Sequence, residues 1–215
     1  MMRKIVSMGL AGMLLAACAG KPSQPVWQTN AGSSLSAFSD AYLKGDSAIA
    51  ETEFARARRE MASTGRPDLV AHAELYRCAT RVATLQFEPC VGFDALAQDA
   101  TPPEKAYAAY LAGQWAGIDL ALLPEQHRAV VTAKGGLGTI TDPLSRLVAA
   151  GALMKAGAIA PADIGLATET ASAQGWRRPL LMWLNVLLRR AQSAGDTVET
   201  ARLQRRIDLA GDESK

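Results

Sequence analysis

Residues 35–61 read LSAFSDAYLKGDSAIAETEFARARREM. The first half of this stretch places Leu35, Phe38 and Tyr42 on one face of a helix, at spacings of three and four residues. The second half continues the spacing with four further apolar residues: Ala50, Phe54, Ala57 and Met61. Gly45 lies between the halves, where a glycine commonly ends a helix. The pattern predicts two antiparallel helices joined by a tight turn.

The turn between these helices is echoed later in the chain. Residues 41–46 read AYLKGD, and residues 109–114 read AYLAGQ. Their glycines are separated by two periods of 34 residues, and 34 residues is the length of a tetratricopeptide repeat. Residues 35–61 resemble one such repeat, with Gly45 at the turn. The small-large-small positions of its second helix are then Ala50, Phe54 and Ala57.

The resemblance to tetratricopeptide repeats is partial. A weaker copy spans residues 108–123, and residues 194–196 repeat the turn alone. The signature tryptophan and Gly-Tyr pair of the first helix are missing, and no copy fills the region around Cys78. The resemblance therefore implies tetratricopeptide-like helical hairpins rather than a complete repeat array.

Helical patterns continue over most of residues 35–212. Residues 101–104, TPPE, form a capping-box pattern with proline in the first turn, and Asp142 followed by proline is typical of a helix start. The apolar run LLMWLNVLL, residues 180–188, is too short to span a bilayer and predicts a core helix, with a partner-binding face as the alternative. We expect an all-α domain of stacked antiparallel helical hairpins over residues 35–212.

The N-terminal residues are typical of a secretory signal. Arg3 and Lys4 precede an apolar run, residues 5–17, that is too short to cross a membrane. The sequence Leu-Ala-Ala-Cys that ends at Cys18 resembles the lipobox of bacterial lipoproteins. This resemblance implies that a signal peptide of residues 1–17 is removed and that a lipid anchors the new N-terminus through the Cys18 thiol. The alternative is an ordinary secreted protein with a chance cysteine beside its cleavage site.

The residue after the lipidated cysteine influences sorting between membranes in this family. Ala19 stands where an aspartate would favour the inner membrane, so we expect the outer membrane, with the domain on its periplasmic face. Residues 18–34 are rich in Pro, Gly, Ser and Asn, and this composition predicts a flexible tether between the lipid and the domain.

The charge balance argues against nucleic acid as a partner. Of the 23 Lys and Arg residues, Arg3 and Lys4 leave with the signal peptide, so 21 remain beside 21 Asp and Glu residues. Nucleic-acid-binding domains normally carry a basic excess. Four arginine doublets occur, and we interpret all of them as solvated helix faces: residues 58–59, 177–178, 189–190 and 205–206.

Two cysteines remain after lipidation, Cys78 and Cys90. In the oxidising periplasm such a pair usually forms a disulfide. Pro89 disfavours helical geometry at the residue before it, so the chain can fold back and bring the two sulfurs together. Free buried thiols are the alternative.

Few residues are candidates for chemistry. His72 and His127 have no Cys, Asp or Glu at metal-ligand spacing, so we expect both on helix surfaces or boundaries. Residues 134–139, KGGLGT, lack the preceding strand and the terminal Gly-Lys-Ser/Thr of a phosphate loop, and they predict a flexible connection. We expect no catalytic residue, no metal site and no cofactor.

These patterns favour a binding protein. Stacked hairpins leave a concave surface that suits a segment of another protein. We expect a lipoprotein that binds a periplasmic or outer-membrane protein, as a scaffold or assembly factor of an envelope complex. One alternative is a cell-wall or lipid-related enzyme whose acids, such as Glu74 or Glu88, converge in three dimensions. Another is a carrier with an apolar cavity for a small ligand or lipid.

Replacing Cys18 with Ser tests the anchor. The variant has no thiol to acylate at this position, so we expect no incorporation of labelled palmitate and accumulation of the unprocessed precursor. Labelling in growing cells and mobility on a denaturing gel measure the two effects. Cys78→Ser is the matched control, because it also removes a thiol and should leave acylation intact. A Cys18→Ser protein that is still cleaved and membrane-bound would refute the assignment.

Overall fold

The computed structural model describes residues 24–212, and over this range the protein is all-helical, with no strand. The predicted fold class is confirmed. The helices of the described range are α1 (Val26–Lys44), α2 (Ser47–Ala62), α3 (Pro67–Ala83), α4 (Val91–Asp94), α5 (Pro102–Leu111), α6 (Glu125–Ala133), α7 (Pro143–Lys155), α8 (Pro161–Ala173), α9 (Arg177–Ser193) and α10 (Thr197–Gly211). The proposed signal peptide, Cys18 and Ala19 lie outside the described residues. In the part of the chain that is described, no helix combines the length and the apolar character needed to cross a membrane.

A Gly-Asp turn closes the hairpin of α1 and α2, as the sequence predicts. Gly45 adopts the left-handed conformation, with φ 105°, and the amide of Asp46 donates to the carbonyl of Ala41 at 2.9 Å. The Asp46 carboxylate then caps the first turn of α2. Gly195 and Asp196 join α9 to α10 in the same way. Two adjacent residues thus end one helix and begin the next.

The second copy of the motif does not form a hairpin, so the repeat predicted over residues 108–123 is wrong. Gly113 has φ 73°, and the amide of Gln114 closes α5 with the same hydrogen bond as in the first turn. Gln114 stands where Asp46 caps α2, and glutamine is not among the preferred N-cap residues. No helix follows directly. The chain instead passes through a short 3-10 turn, Leu120–Leu122, on its way to α6.

Helix α1 begins at Val26, so the flexible tether predicted over residues 18–34 is wrong from that residue onward. Ala31 is buried in the cluster that joins α1, α2 and α3. Asn30 donates to the Glu60 carboxylate of α2 at 3.1 Å. The small and polar residues of this segment have weak helix propensity, and tertiary contacts with α2 and α3 outweigh it.

Helix α9 returns the chain to the first hairpin. The guanidinium carbon of Arg178 lies 4.1 Å from the ring centroid of Tyr42, and this side chain also donates to the carbonyl of Gly45 at 3.2 Å. The indole of Trp183, which is fully buried, donates to the carbonyl of Ala83 at the end of α3. The helical stack is therefore closed by α9 and does not continue as an open superhelix.

Two sequence predictions concern α9. The apolar run at residues 180–188 is a core helix, as predicted, with Trp183 and Leu184 fully buried. The interpretation of the doublet at residues 177–178 as a solvated face is wrong, because both arginines are half-buried. The doublet at residues 189–190 is exposed, as predicted.

Helices α3 and α7 approach so closely that one position has no room for a side chain. A Cβ atom at Gly151 of α7 would overlap the carbonyl oxygen of Val82 in α3. The residues around this glycine are also small, and all are fully buried: Ala149, Ala150 and Ala152. Helix α7 therefore lies in the interior with its backbone against α3.

Cys78 and Cys90 lie at disulfide distance, with Cα atoms 5.9 Å apart, as the sequence predicts. Cys78 is on α3, and Cys90 directly precedes α4. Leu85 reverses the chain after α3 in a left-handed conformation, with φ 58°. The pair ties the connection between α3 and α4 back onto α3.

Replacing Gly151 with Ala tests the contact between α3 and α7. The added methyl group forces the helices apart, and overpacking of this kind costs about 1–3 kcal/mol, more than the ~1 kcal/mol that alanine gains over glycine in a helix. We expect a lower free energy of unfolding in urea. Gly165→Ala in α8 is the control: a Cβ there meets no atom within 4 Å, and stability should stay equal or rise by about 0.4–1 kcal/mol. Equal effects of the two substitutions would contradict the contact.

Candidate functional site

A cavity of about 590 Å³ lies between α3, α5, α6 and α7. Its floor is formed by buried and mostly apolar residues: Leu75, Ala79, Leu123, His127 and Val148. Its rim is formed by exposed and mostly polar residues: His72, Pro103, Gln126, Arg128 and Asp142. The volume falls within the ~300–1,000 Å³ of typical ligand sites, and an apolar floor with a few polar groups is their usual lining.

An aromatic cluster centred on Tyr110 holds the floor in place. Tyr110 is fully buried, and the rings of Tyr107 and Trp115 stack on it with centroids 5.7 Å away. The His127 ring lies 4.9 Å from the same ring. The Trp115 indole also donates to the Tyr110 carbonyl at 3.0 Å. The cluster joins α5, the loop after it and α6, and so fixes the position of His127.

His127 is 1% exposed, so its predicted place at a helix surface or boundary is wrong. The Tyr110 hydroxyl lies 3.1 Å from His127 Nδ1 and has no other acceptor among the described residues, so we assign the hydroxyl as the donor and Nδ1 as the acceptor. The proton of the neutral ring is then on Nε2. This nitrogen makes no hydrogen bond to a described residue and is not sealed inside the protein. It therefore presents an N–H donor to the cavity that His127 lines.

Burial keeps the floor of the cavity uncharged. It lowers the pKa of His127 from 6.5 to about 4, against a smaller opposing effect of the Asp142 carboxylate. Burial also raises the pKa of the Tyr107 and Tyr110 hydroxyls. At neutral pH the floor thus carries a neutral imidazole and neutral phenols, which form hydrogen bonds without adding a charge.

Two carboxylates at the cavity also cap helices, as the sequence predicts. Glu104 accepts from the Thr101 amide at 2.8 Å at the start of α5, and its other oxygen lies 3.6 Å from Nδ1 of His72. Asp142 accepts from the Ser145 amide at 2.7 Å at the start of α7. Asp142 forms no ion pair with any residue from 24 to 212.

Arg128 is already engaged with the backbone at the rim. Its guanidinium donates to the carbonyl of Leu123 at 2.9 Å and to that of Ala121 at 3.3 Å. The cation therefore fixes the loop that leads into α6. The cavity lining carries the negative charges of Glu104 and Asp142 against the positive charge of Arg128.

The acids considered for an enzyme lie outside the cavity. Glu74 is buried and accepts from Arg58 Nε at 2.8 Å, whereas Glu88 is exposed. His72 is exposed at the rim, as predicted. Residues 134–139 connect α6 to α7 and include a short 3-10 turn, Leu137–Thr139, with the side chain of Leu137 buried in the core; the flexibility predicted for them stays a prediction. In the described part of the chain, no three His, Cys, Asp or Glu side chains are grouped to hold a metal.

Sequence reasoning missed the aromatic cluster. Tyr107 and Tyr110 are three residues apart and share a face of α5, which is a signal for a helix contact. Tyr110 also occupies the position of Tyr42 in the echoed motif. Nothing in the local pattern of α6 shows that His127 meets this face, because the loop between the helices brings them together.

Replacing His127 with Gln tests the neutral buried ring. The folded protein resists protonation of His127 until about pH 4, whereas the unfolded chain takes up this proton near pH 6.5. As the pH falls through this window, the wild type should lose up to about 3 kcal/mol of unfolding free energy that the variant does not lose. Urea unfolding of both proteins at pH 7 and pH 4 measures the difference. The same pH dependence in both would show that His127 does not titrate this way.

Comparison with known proteins does not assign the chain to a family. No protein-family model, curated protein or solved structure matches the chain. The functional argument therefore rests on the cavity itself.

Proposed function

We propose that this protein is a lipid-anchored outer-membrane lipoprotein that faces the periplasm and binds a segment of another envelope protein in the cavity between α3, α5, α6 and α7. In this role it acts as a scaffold or assembly factor. The observation that carries the proposal is the cavity of about 590 Å³, with its apolar floor and a hydrogen-bond donor left open at His127 Nε2.

The unused donor supports binding more than a structural role. His127 Nε2 is open to solvent, so it can bond to water in the free protein and to an acceptor of a bound segment in the complex. His127 Nε2 is left without a protein partner on the floor of a cavity large enough for a side chain and adjoining backbone of a bound segment. Tyr107 also lines the cavity.

The enzymatic alternative has less support. Glu74 accepts a hydrogen bond from Arg58. The two acids of the cavity, Glu104 and Asp142, each accept from a backbone amide at a helix N-terminus. A general acid or base needs a raised or lowered pKa matched to its task and access to substrate, and neither Glu74 nor Glu88 lines the cavity. The alternative of a small-ligand carrier is better supported than the enzyme, because an apolar cavity floor would also suit a small ligand.

A photo-reactive phenylalanine analogue tests the proposal in living cells. Placed at Leu144, on the wall of the cavity, it should give a discrete cross-link to one protein partner on irradiation. Placed at Val198 of α10, which is 80% exposed and outside the cavity lining, it should not give this product. Mass spectrometry of the purified cross-link identifies what was bound.

The outcomes separate the candidate functions. A protein cross-link from position 144 and not from position 198 supports the binding role. An adduct of lipid or another small molecule at position 144 would favour the carrier. No adduct at position 144, or equal products from both positions, would contradict a binding role for the cavity.

A further inference from the structure

We propose, resting on the binding role above, that the cavity is specific for a protein segment with a large apolar side chain beside a lysine or arginine. The apolar side chain enters between α3 and α7. A main-chain carbonyl of the segment accepts from His127 Nε2, and the neighbouring cation pairs with Asp142.

The apolar requirement follows from the walls of the cavity. The facing surfaces of α3 and α7 carry four aliphatic side chains, Leu75, Ala79, Leu144 and Val148, beside Tyr76, Thr80 and Ser145. The floor between them carries no charge at neutral pH. A large apolar side chain loses its contact with water there without leaving any charge unsolvated.

The carbonyl requirement follows from the tautomer of His127. Because Nδ1 accepts from Tyr110, the free nitrogen is a donor and needs an acceptor. Every residue of an extended segment offers a main-chain carbonyl, whatever its side chain. His127 therefore fixes the backbone of the bound segment and leaves selectivity to the groups around it.

The requirement for a cation follows from the charges at the rim. Asp142 uses one carboxylate oxygen to cap α7, and it forms no ion pair among residues 24–212. Burial is the main cause of the raised pKa of Tyr107, and Tyr76 and then Asp142 add to it, so the charge of Asp142 acts inside the cavity. Glu104 contributes a second negative charge. Arg128 is the opposing cation, and its guanidinium is already bound to two carbonyls. A carboxylate or phosphate group would be repelled at this rim, whereas a basic residue would be attracted.

Selection of random peptides displayed on phage tests this specificity. The target is the full-length protein, purified with its lipid anchor in detergent. We expect the enriched peptides to share a large apolar residue beside Lys or Arg. Their affinities are then measured by fluorescence anisotropy as synthetic peptides, together with matched peptides in which the basic residue is replaced by Gln.

Asp142→Asn is the critical variant, because asparagine also caps a helix and only the charge is lost. It should weaken binding of the basic peptides about two- to five-fold, the effect of one partly exposed ion pair, and should leave the Gln peptides unaffected. Asp46→Asn is the matched control: it removes the same charge from the N-cap of α2, outside the cavity lining, and should change nothing.

Three results would overturn the specificity. One is enrichment of acidic peptides, another is basic peptides that bind Asp142→Asn as tightly as the wild type, and the third is a selection that returns no enriched peptide. A protein cross-link at position 144 in cells, combined with any of these, would leave the binding role standing and remove only the specificity.

Discussion

The cavity depends on a contact that leaves no room for a side chain. Gly151 allows the backbone of α7 to meet the carbonyl of Val82 in α3. One helical turn before this contact, Val148 of α7 and Ala79 of α3 line the cavity. The two walls are thus set by a backbone contact inside the core, where close packing permits little adjustment. The cavity is therefore built on the packed core, and the connection between α5 and α6 completes its lining.

The same short motif has two outcomes in this chain, and the difference shows what local sequence can specify. At Gly45 the next residue is Asp46, which caps a new helix, so a hairpin forms. At Gly113 the next residue is Gln114, and the chain enters an irregular loop. The helix stop could be predicted at both places, because glycine in the left-handed conformation is a local requirement. The predicted repeat over residues 108–123 is wrong because Gln114 does not supply the helix cap that Asp46 supplies at the first turn.

Helix faces could be predicted from periodicity, but the partner of each face could not. Arg178 donates to Gly45 across a separation of 133 residues, and Trp183 donates to Ala83 across 100 residues. A pattern of apolar spacing reports that a face is buried and does not say against which helix. His127 illustrates the same limit within the site. Its burial arises from Tyr110 and the loop that follows α5, and the sequence of α6 does not specify these contacts.

Arg178 Nε and His127 Nε2 both lack a protein partner among the described residues, but their settings differ, and the contrast supports the assignment of the site. Arg178 Nε is sealed inside the protein, yet the same guanidinium donates from another nitrogen and lies over the Tyr42 ring. Its charge is therefore stabilised by the contact that closes the fold. His127 Nε2 belongs to a ring that is held just as firmly, by Tyr110, but the nitrogen opens into a cavity. Since the surrounding structure fixes this donor without using it, an acceptor from outside the chain is the simplest partner for it.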